Sequence, residues 1–162
     1  MKSSSIKTYT VKEATIKLMQ FCAYRDRTHN EVEEKLNSMN MIPEAQQQII
    51  MQLMQENFLN EERFAKSFAR GKFRIKKWGK RRIINELKIR GISPRNIQTG
   101  LKEISETDYM ATFHEISEKK WISITEVSVI KKKKKFADYL QYRGWENHLI
   151  FEKANELVKQ DD

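Results

Sequence analysis

The chain repeats itself. Displacing residues 30–57 by 51 positions lays Val32 on Ile83, Leu36 on Leu87, Met41 on Ile92, Pro43 on Pro94, Ile50 on Leu101 and Leu53 on Ile104. A further displacement of 53 lays Phe136, Leu140, Arg143, Gly144, Trp145, Ile150 and Leu157 on Ile83, Leu87, Arg90, Gly91, Ile92, Ile97 and Ile104. Upstream, Ala14 and Leu18 fall on Ala65 and Ala69 at the first offset. A unit of about 50 residues with few large apolar groups cannot bury a full core alone, so neighbours must stack.

Inside each unit the apolar period is helical, as in Val11, Ala14, Leu18 and Cys22. Helix boundaries are marked as well. Thr28 with Glu31 forms a capping box, in which hydroxyl and carboxylate satisfy orphan backbone N–H groups. Ser93 before Pro94 is an N-cap followed by a favourable first helical residue. Ser105 with Asp108 and Ser123 with Glu126 are weaker starts. Gly91 and Gly144 stand where a helix needs a left-handed residue at its C-terminus. With 5 Gly and 2 Pro in 162 residues, turn formers are too scarce for a sandwich or barrel of many short strands. The segment from Ile122 to Ile130 alternates and is β-branched, but it has no partner strand, so it is expected to be a linker into a helix ending near Arg143. The expected fold is all-α: three tandem three-helix repeats, at 10–58, 59–105 and 106–160, in an elongated, curved array.

Charge is unevenly spread over these units. The formal net charge is +9, but residues 1–59 hold 7 basic and 7 acidic groups, 60–104 hold 14 and 4, and 105–162 hold 10 and 11. The middle unit alone carries the excess. Its stretch from Arg70 to Arg82, RGKFRIKKWGKRR, has 8 cations in 13 residues and no acid. Arg63, Lys66, Arg70, Arg74 and Lys77 recur at steps of three and four on one helical face, with Phe64, Ala65, Phe68 and Ala69 on another. Trp78 and Gly79 are expected to end that helix, and Lys80, Arg81 and Arg82 to open the next, with Lys88 further along. Uncompensated like charges destabilise a helix by a few tenths of a kcal/mol per pair, so a merely solvated face would mix signs. A cationic corner facing a polyanion, a phosphate backbone or an acidic protein groove, is the functional reading. Phe73 and Trp78 lie among these cations; core packing is their expected role, with stacking on bases the alternative. Lys131 to Lys135 is a second basic run, either an auxiliary contact through Lys131, Lys132, Lys134 and Lys135 or a solvated face.

No catalytic constellation is legible. His29, His114 and His148 fall in different units, and Cys22 sits at a core-facing position beside Leu18. Phosphate-loop, dinucleotide, zinc-protease and serine-hydrolase motifs are absent. Glu61 with Glu62, and Glu33 with Glu34, are adjacent on helices and point apart. The expectation is a non-enzyme without metal or cofactor. One cysteine excludes an intrachain disulfide, and the N-terminus MKSSSIKTYT has no apolar export segment, so a cytoplasmic protein is expected.

The residues also carry a family resemblance. Asn60, Glu61, Arg63, Phe64, Ala65, then Gly79, Lys80, Arg82, Ile83, Glu86, Leu87, Arg90, Gly91 and Ile92 resemble the central pattern of the RecX regulatory proteins, bacterial modulators of the RecA recombinase. Arg25, Arg27, Thr28, Glu31, Val32, Lys35 and Leu36 are similar to that family's first-repeat motif. Phe136, Leu140, Arg143, Gly144 and Trp145 are similar to its third. The resemblance spans about residues 11–158, with Asn40 where the other two units have glycine and a longer connection in the third unit. It implies a non-catalytic chain that binds RecA filaments on DNA, in the groove or at the growing end. There it would restrain ATP hydrolysis, strand exchange and filament growth in recombination, repair and the SOS response. With Arg90 from this motif, the expected contact set is Arg63, Lys66, Arg70, Arg74, Lys77, Lys80, Arg81, Arg82, Lys88 and Arg90. The expected partners are the RecA filament and single- or double-stranded DNA with weak sequence preference, met by a monomer. The rival is a stand-alone helical nucleic-acid-binding protein of helix-turn-helix type, suggested by the helix–Gly79–helix corner.

Overall fold

Over residues 6–162, which the computed structural model describes, the chain forms nine helices and no strand. They are α1 (Val11–Tyr24), α2 (His29–Ser38), α3 (Pro43–Gln55), α4 (Glu61–Lys76), α5 (Lys80–Ile89), α6 (Pro94–Leu101), α7 (Glu106–Ser123), α8 (Val129–Tyr142) and α9 (Asn147–Asp161). Residues 1–5, part of the N-terminal stretch considered above, lie outside the described residues. No described helix is long and apolar enough to cross a membrane.

Side-chain caps set most of the starts. The oxygens of Thr10, Thr28, Asn60, Ser93, Ser105 and Ser128 accept from backbone N–H groups three residues on. Three details depart from expectation. Only the Thr28 half of its capping box forms, because the Glu31 carboxylate turns to Arg25 (3.4 Å) and Arg27 (3.8 Å). Ser123 does not open a helix. It closes α7, donating to the Lys120 carbonyl at 2.6 Å, because Trp121 and Ile124 are buried and hold the helix against the core to that point. The linker is short, 124–128, and Ile122 and Ile130 are both 82 % exposed inside helices, so their β-branching serves no sheet. The basic helix ends earlier than expected, at Lys76, with Lys77 in the left-handed region at φ 58°. Trp78 and Gly79 then link α4 to α5.

Gly91 (φ 77°) and Gly144 (φ 89°) take the left-handed conformation after α5 and α8, and Asn40 (φ 57°) takes it after α2. Asn tolerates this region better than other side chains do, which is how the departure from glycine is accommodated.

Consecutive helices pack in triplets, α1–α3, α4–α6 and α7–α9. Two apolar cores result. One, around Leu18, Leu36, Ile49 and Leu53, belongs to α1–α3 with Leu59; the other runs unbroken through α4–α9, from Phe64 and Leu87 to Trp145 and Ile150. The middle helices of the triplets are arranged end to end. Carbonyls of Arg143 and Gly144, just past α8, accept from the N–H groups of Gly79 (2.8 Å) and Arg81 (3.0 Å) at the start of α5. The Arg90 carbonyl, just past α5, accepts from Asn30 Nδ2 at 3.3 Å at the start of α2. The helix dipoles of α8, α5 and α2 therefore run in series, negative end against positive end. The accessible surface of 10761 Å² exceeds the about 8500 Å² expected of a compact monomer of this mass, as a tandem array requires.

Candidate functional site

The cationic corner forms where α4 turns into α5, and the third triplet builds half of it. Gly79 has no side chain to cap α5, so the orphan N–H groups of its first turn are satisfied from α7 and α8. Besides the Arg143 and Gly144 carbonyls, the Tyr109 hydroxyl accepts from the Lys80 N–H at 2.9 Å. That hydroxyl donates in turn to the Glu146 carboxylate, at 2.7 and 2.8 Å from its two oxygens. Burial above all, with Glu146 adding to it, pushes the Tyr109 phenol well above its ordinary value, against the Lys80 N–H; it stays a neutral donor. Trp145, fully buried, donates from Nε1 to the Lys77 carbonyl at 3.1 Å and packs on Tyr109 at 4.5 Å between centroids. The approach is close enough that a methyl on Gly79 would strike the Gly144 carbonyl, and one on Gly144 would strike the Arg82 backbone.

The expected contact residues divide into two groups. Several are committed inside the fold. Arg63 reaches across to the first triplet, with Nε 2.8 Å from Asp26 Oδ1 and its other nitrogens on the carbonyls of Asn57 (3.0 Å) and Phe58 (3.2 Å). Lys66 pairs with Glu62 at 3.0 Å, Arg70 with Glu103 at 3.2 Å, Lys80 with Glu106 at 3.2 Å and Arg90 with Glu86 at 2.6 Å. Arg82 donates to the Tyr142 carbonyl at 3.1 Å and lies 4.2 Å from the Trp78 ring and 4.7 Å from that of Tyr142. Arg74, Lys77, Arg81 and Lys88 have no side-chain hydrogen bond or ion pair among the described residues; Arg74, Arg81 and Lys88 are exposed and Lys77 half-buried. The corner's available charge is thus narrower than its formal charge.

Phe73 is core, 7 % exposed and stacked on Tyr109. Trp78 is half-buried between Lys72 and Arg82, 5.0 and 4.2 Å from its ring. In the auxiliary run, Lys132 covers Trp121 and approaches Asp161 (3.6 Å), Lys134 pairs with Asp138 (2.8 Å) and Lys135 with Glu126 (2.7 Å). Lys131 is exposed. Glu61 and Glu62 do not face each other: Glu61 accepts from Ser93 and Asn96 at the start of α6, while Glu62 holds Lys66. Cys22 is buried, which raises its thiol pKa.

Sequence reasoning passed over Tyr142, Asn85, Gln141 and Asn147, which line a cleft between α5 and α8 with Arg81 and Arg82. It also left out Arg143, which lies 3.8 Å from the Tyr139 ring. For Arg143 a signal existed, since the self-comparison sets it on Arg90. For the amides there was none, because only the docking of two units brings them together.

Comparison with known proteins fits this geometry. The profile of the second three-helix domain of RecX matches residues 60–101, the triplet that carries the corner. The regulatory protein RecX of Lactobacillus johnsonii is 30 % identical over 135 residues, covering 81 % of this chain and 48 % of that protein. The chain thus spans about half the length of that curated relative. The RecX of Yersinia enterocolitica is 32 % identical over 117 residues, covering 72 % of this chain and 68 % of its own. The crystal structure of RecX from Lactobacillus salivarius superposes with a TM-score of 0.81 at 22 % identity, over 91 % of this chain and 96 % of that one. Shared sequence with the Yersinia protein, and a shared helical fold, place this chain in the RecX family of regulatory proteins.

Proposed function

We propose that the chain is a non-catalytic regulator that binds RecA–DNA filaments and mainly inhibits them, lowering ATP hydrolysis and filament growth during recombination and repair. It acts as a cytoplasmic monomer whose three modules, 10–58, 59–105 and 106–160, form one array. The observation that carries this reading is the set of uncommitted cations, Arg74, Lys77, Arg81 and Lys88, on a corner whose backbone is fixed by a second module. Rigid, unneutralised charge suits a filament that presents both acidic protein and phosphate.

The helix-turn-helix alternative loses support from the same geometry. A recognition helix reads bases with its N-terminal residues in the major groove. The backbone of the N-terminal turn of α5 is instead docked on Arg143, Gly144 and Tyr109, which fixes that end of the helix against the third triplet. Reversing Arg74, Lys77 and Arg81 to Glu together is expected to lower the affinity for RecA filaments on single-stranded DNA by at least about tenfold, with a matching loss of ATPase inhibition. Circular dichroism should remain unchanged, because these side chains have no partner in the fold. Undiminished inhibition by the triple variant would remove the corner from the mechanism.

A further inference from the structure

The cleft between α5 and α8 has the furnishing of a binding site in its own right. It is an open groove of about 570 Å³ lined by Arg81, Arg82, Asn85, Gln141, Tyr142 and Asn147. Three chemistries meet in the cleft and along the α5 stripe that leads from it to Lys88. Arg81, Asn85 and Lys88 are all exposed and follow at steps of four and three on one stripe of α5. Seven residues of α-helix separate the two cations by about 10.5 Å, with the amide between them. Tyr142 on the cleft wall is 72 % exposed, so its ring is open to a partner from solvent. Its orientation is already set from one side by the Arg82 guanidinium, which is itself wedged against Trp78. Gln141 donates to Asn147 Oδ1 at 2.9 Å, leaving the Gln141 oxygen and the Asn147 amide hydrogens for a further partner. The carboxylate on the cleft wall, Glu86, is turned to Arg90.

We propose that this cleft seats one unstacked nucleotide of a single-stranded nucleic acid. The base lies on the free face of Tyr142 with its edge toward the amides, and the flanking phosphates run along α5 from Arg81 to Lys88. An aromatic platform beside a cationic track is the pattern by which proteins hold single strands. A seat that takes a base out of the stack discriminates against duplex, whose bases must first be unstacked and unpaired. Acidic protein would satisfy the two cations but would leave the ring and the amides unused. The inference rests on the filament reading only for supposing that a single strand is at hand; its test contains no recombinase, so either can fail alone.

The experiment titrates the full chain against a fluorescein-labelled oligothymidylate, the same sugar-phosphate chain without bases, and a duplex of equal length. The intact strand is expected to bind best. Tyr142→Ala should weaken that binding about tenfold, the size of one base–aromatic stack, while Tyr142→Phe stays within about twofold of wild type. Arg81→Gln should reduce the slope of log affinity against log salt by about one. The abasic chain should bind wild type at least as weakly as the intact strand binds Tyr142→Ala, since it lacks both the stack and the base edge that meets the amides. Equal binding of abasic and intact strands, preference for duplex, no measurable binding, or indifference to Tyr142→Ala with circular dichroism intact would each overturn the proposal.

Discussion

Tyr109 carries more than its size suggests. Its ring is 1 % exposed, its hydroxyl is the acceptor that completes the first turn of α5, and Glu146 takes its proton's hydrogen bond. Removing the hydroxyl strands a buried backbone N–H, which costs about 1–3 kcal/mol. Tyr109→Phe should therefore lower the urea midpoint at neutral pH without changing the denaturant slope. The pH dependence has a definite sign. The folded phenol titrates above its ordinary value of 10.0. Above that value the unfolded chain loses this proton while the native one keeps it, so the native state loses stability as pH rises. Tyr109→Phe lacks this contribution. The stability difference between wild type and variant should be constant below about pH 9 and narrow above about pH 10, as paired urea titrations would register. A difference that widened at high pH would mean that the tyrosinate, not the phenol, is the form the fold prefers.

Among elements, the end-to-end contact of α8 with α5 is the one on which the corner depends. Gly144 is doubly constrained there: its φ of 89° lies in the left-handed region, and any Cβ would meet the Arg82 backbone. The conformational strain alone is worth about 1–3 kcal/mol in a non-glycine residue. Gly144→Ala is thus expected to cost at least about 2 kcal/mol and to lower the protection of the Gly79 and Arg81 amides against hydrogen exchange. Unchanged protection of those two amides would show that the junction is not what holds them. Much of this level was legible from residue order. Caps at Thr28, Ser93 and Ser105 and left-handed positions at Gly91 and Gly144 are local chemistry, and each lies where it was expected. The misplaced start at Ser123 failed for an opposite reason: tertiary packing of Trp121 and Ile124, which no local signal reports, carried α7 onward and shortened the expected linker to 124–128, before the helix that ends at Tyr142. At the site, the sequence marked the cations but not their partners. Asp26 lies 37 positions from Arg63 and Glu106 lies 26 from Lys80, so which charges remained available depended on contacts between elements.

For the molecule as a whole, the division into two cores makes a mechanical statement. The helices α4–α9 share one apolar cluster, knit by Phe73, Tyr109, Phe113 and Trp145, whereas α1–α3 keep their own. Polar contacts join the two parts: Arg63 with Asp26, side chains 37 % and 27 % exposed, Ser67 on Asp26, and Asn30 on the Arg90 carbonyl. An ion pair that accessible to water contributes at most about 1 kcal/mol, far less than continuous apolar burial couples α4–α6 to α7–α9. The first triplet should consequently open on its own, below the free energy at which the remainder unfolds. Leu36 and Leu87 occupy corresponding positions and are both fully buried, so they make a matched pair of probes. Truncating either to Ala removes about 2–5 kcal/mol of packing. In native-state hydrogen exchange, Leu36→Ala is expected to speed exchange through α1–α3 and leave α4–α9 unaltered. Leu87→Ala should speed it through α4–α9 together, α7–α9 included, although the substitution lies in α5. Exchange that rises uniformly over all nine helices with Leu36→Ala would mean that the thin polar seam transmits stability as well as a packed core does, and the chain would then be a single cooperative unit.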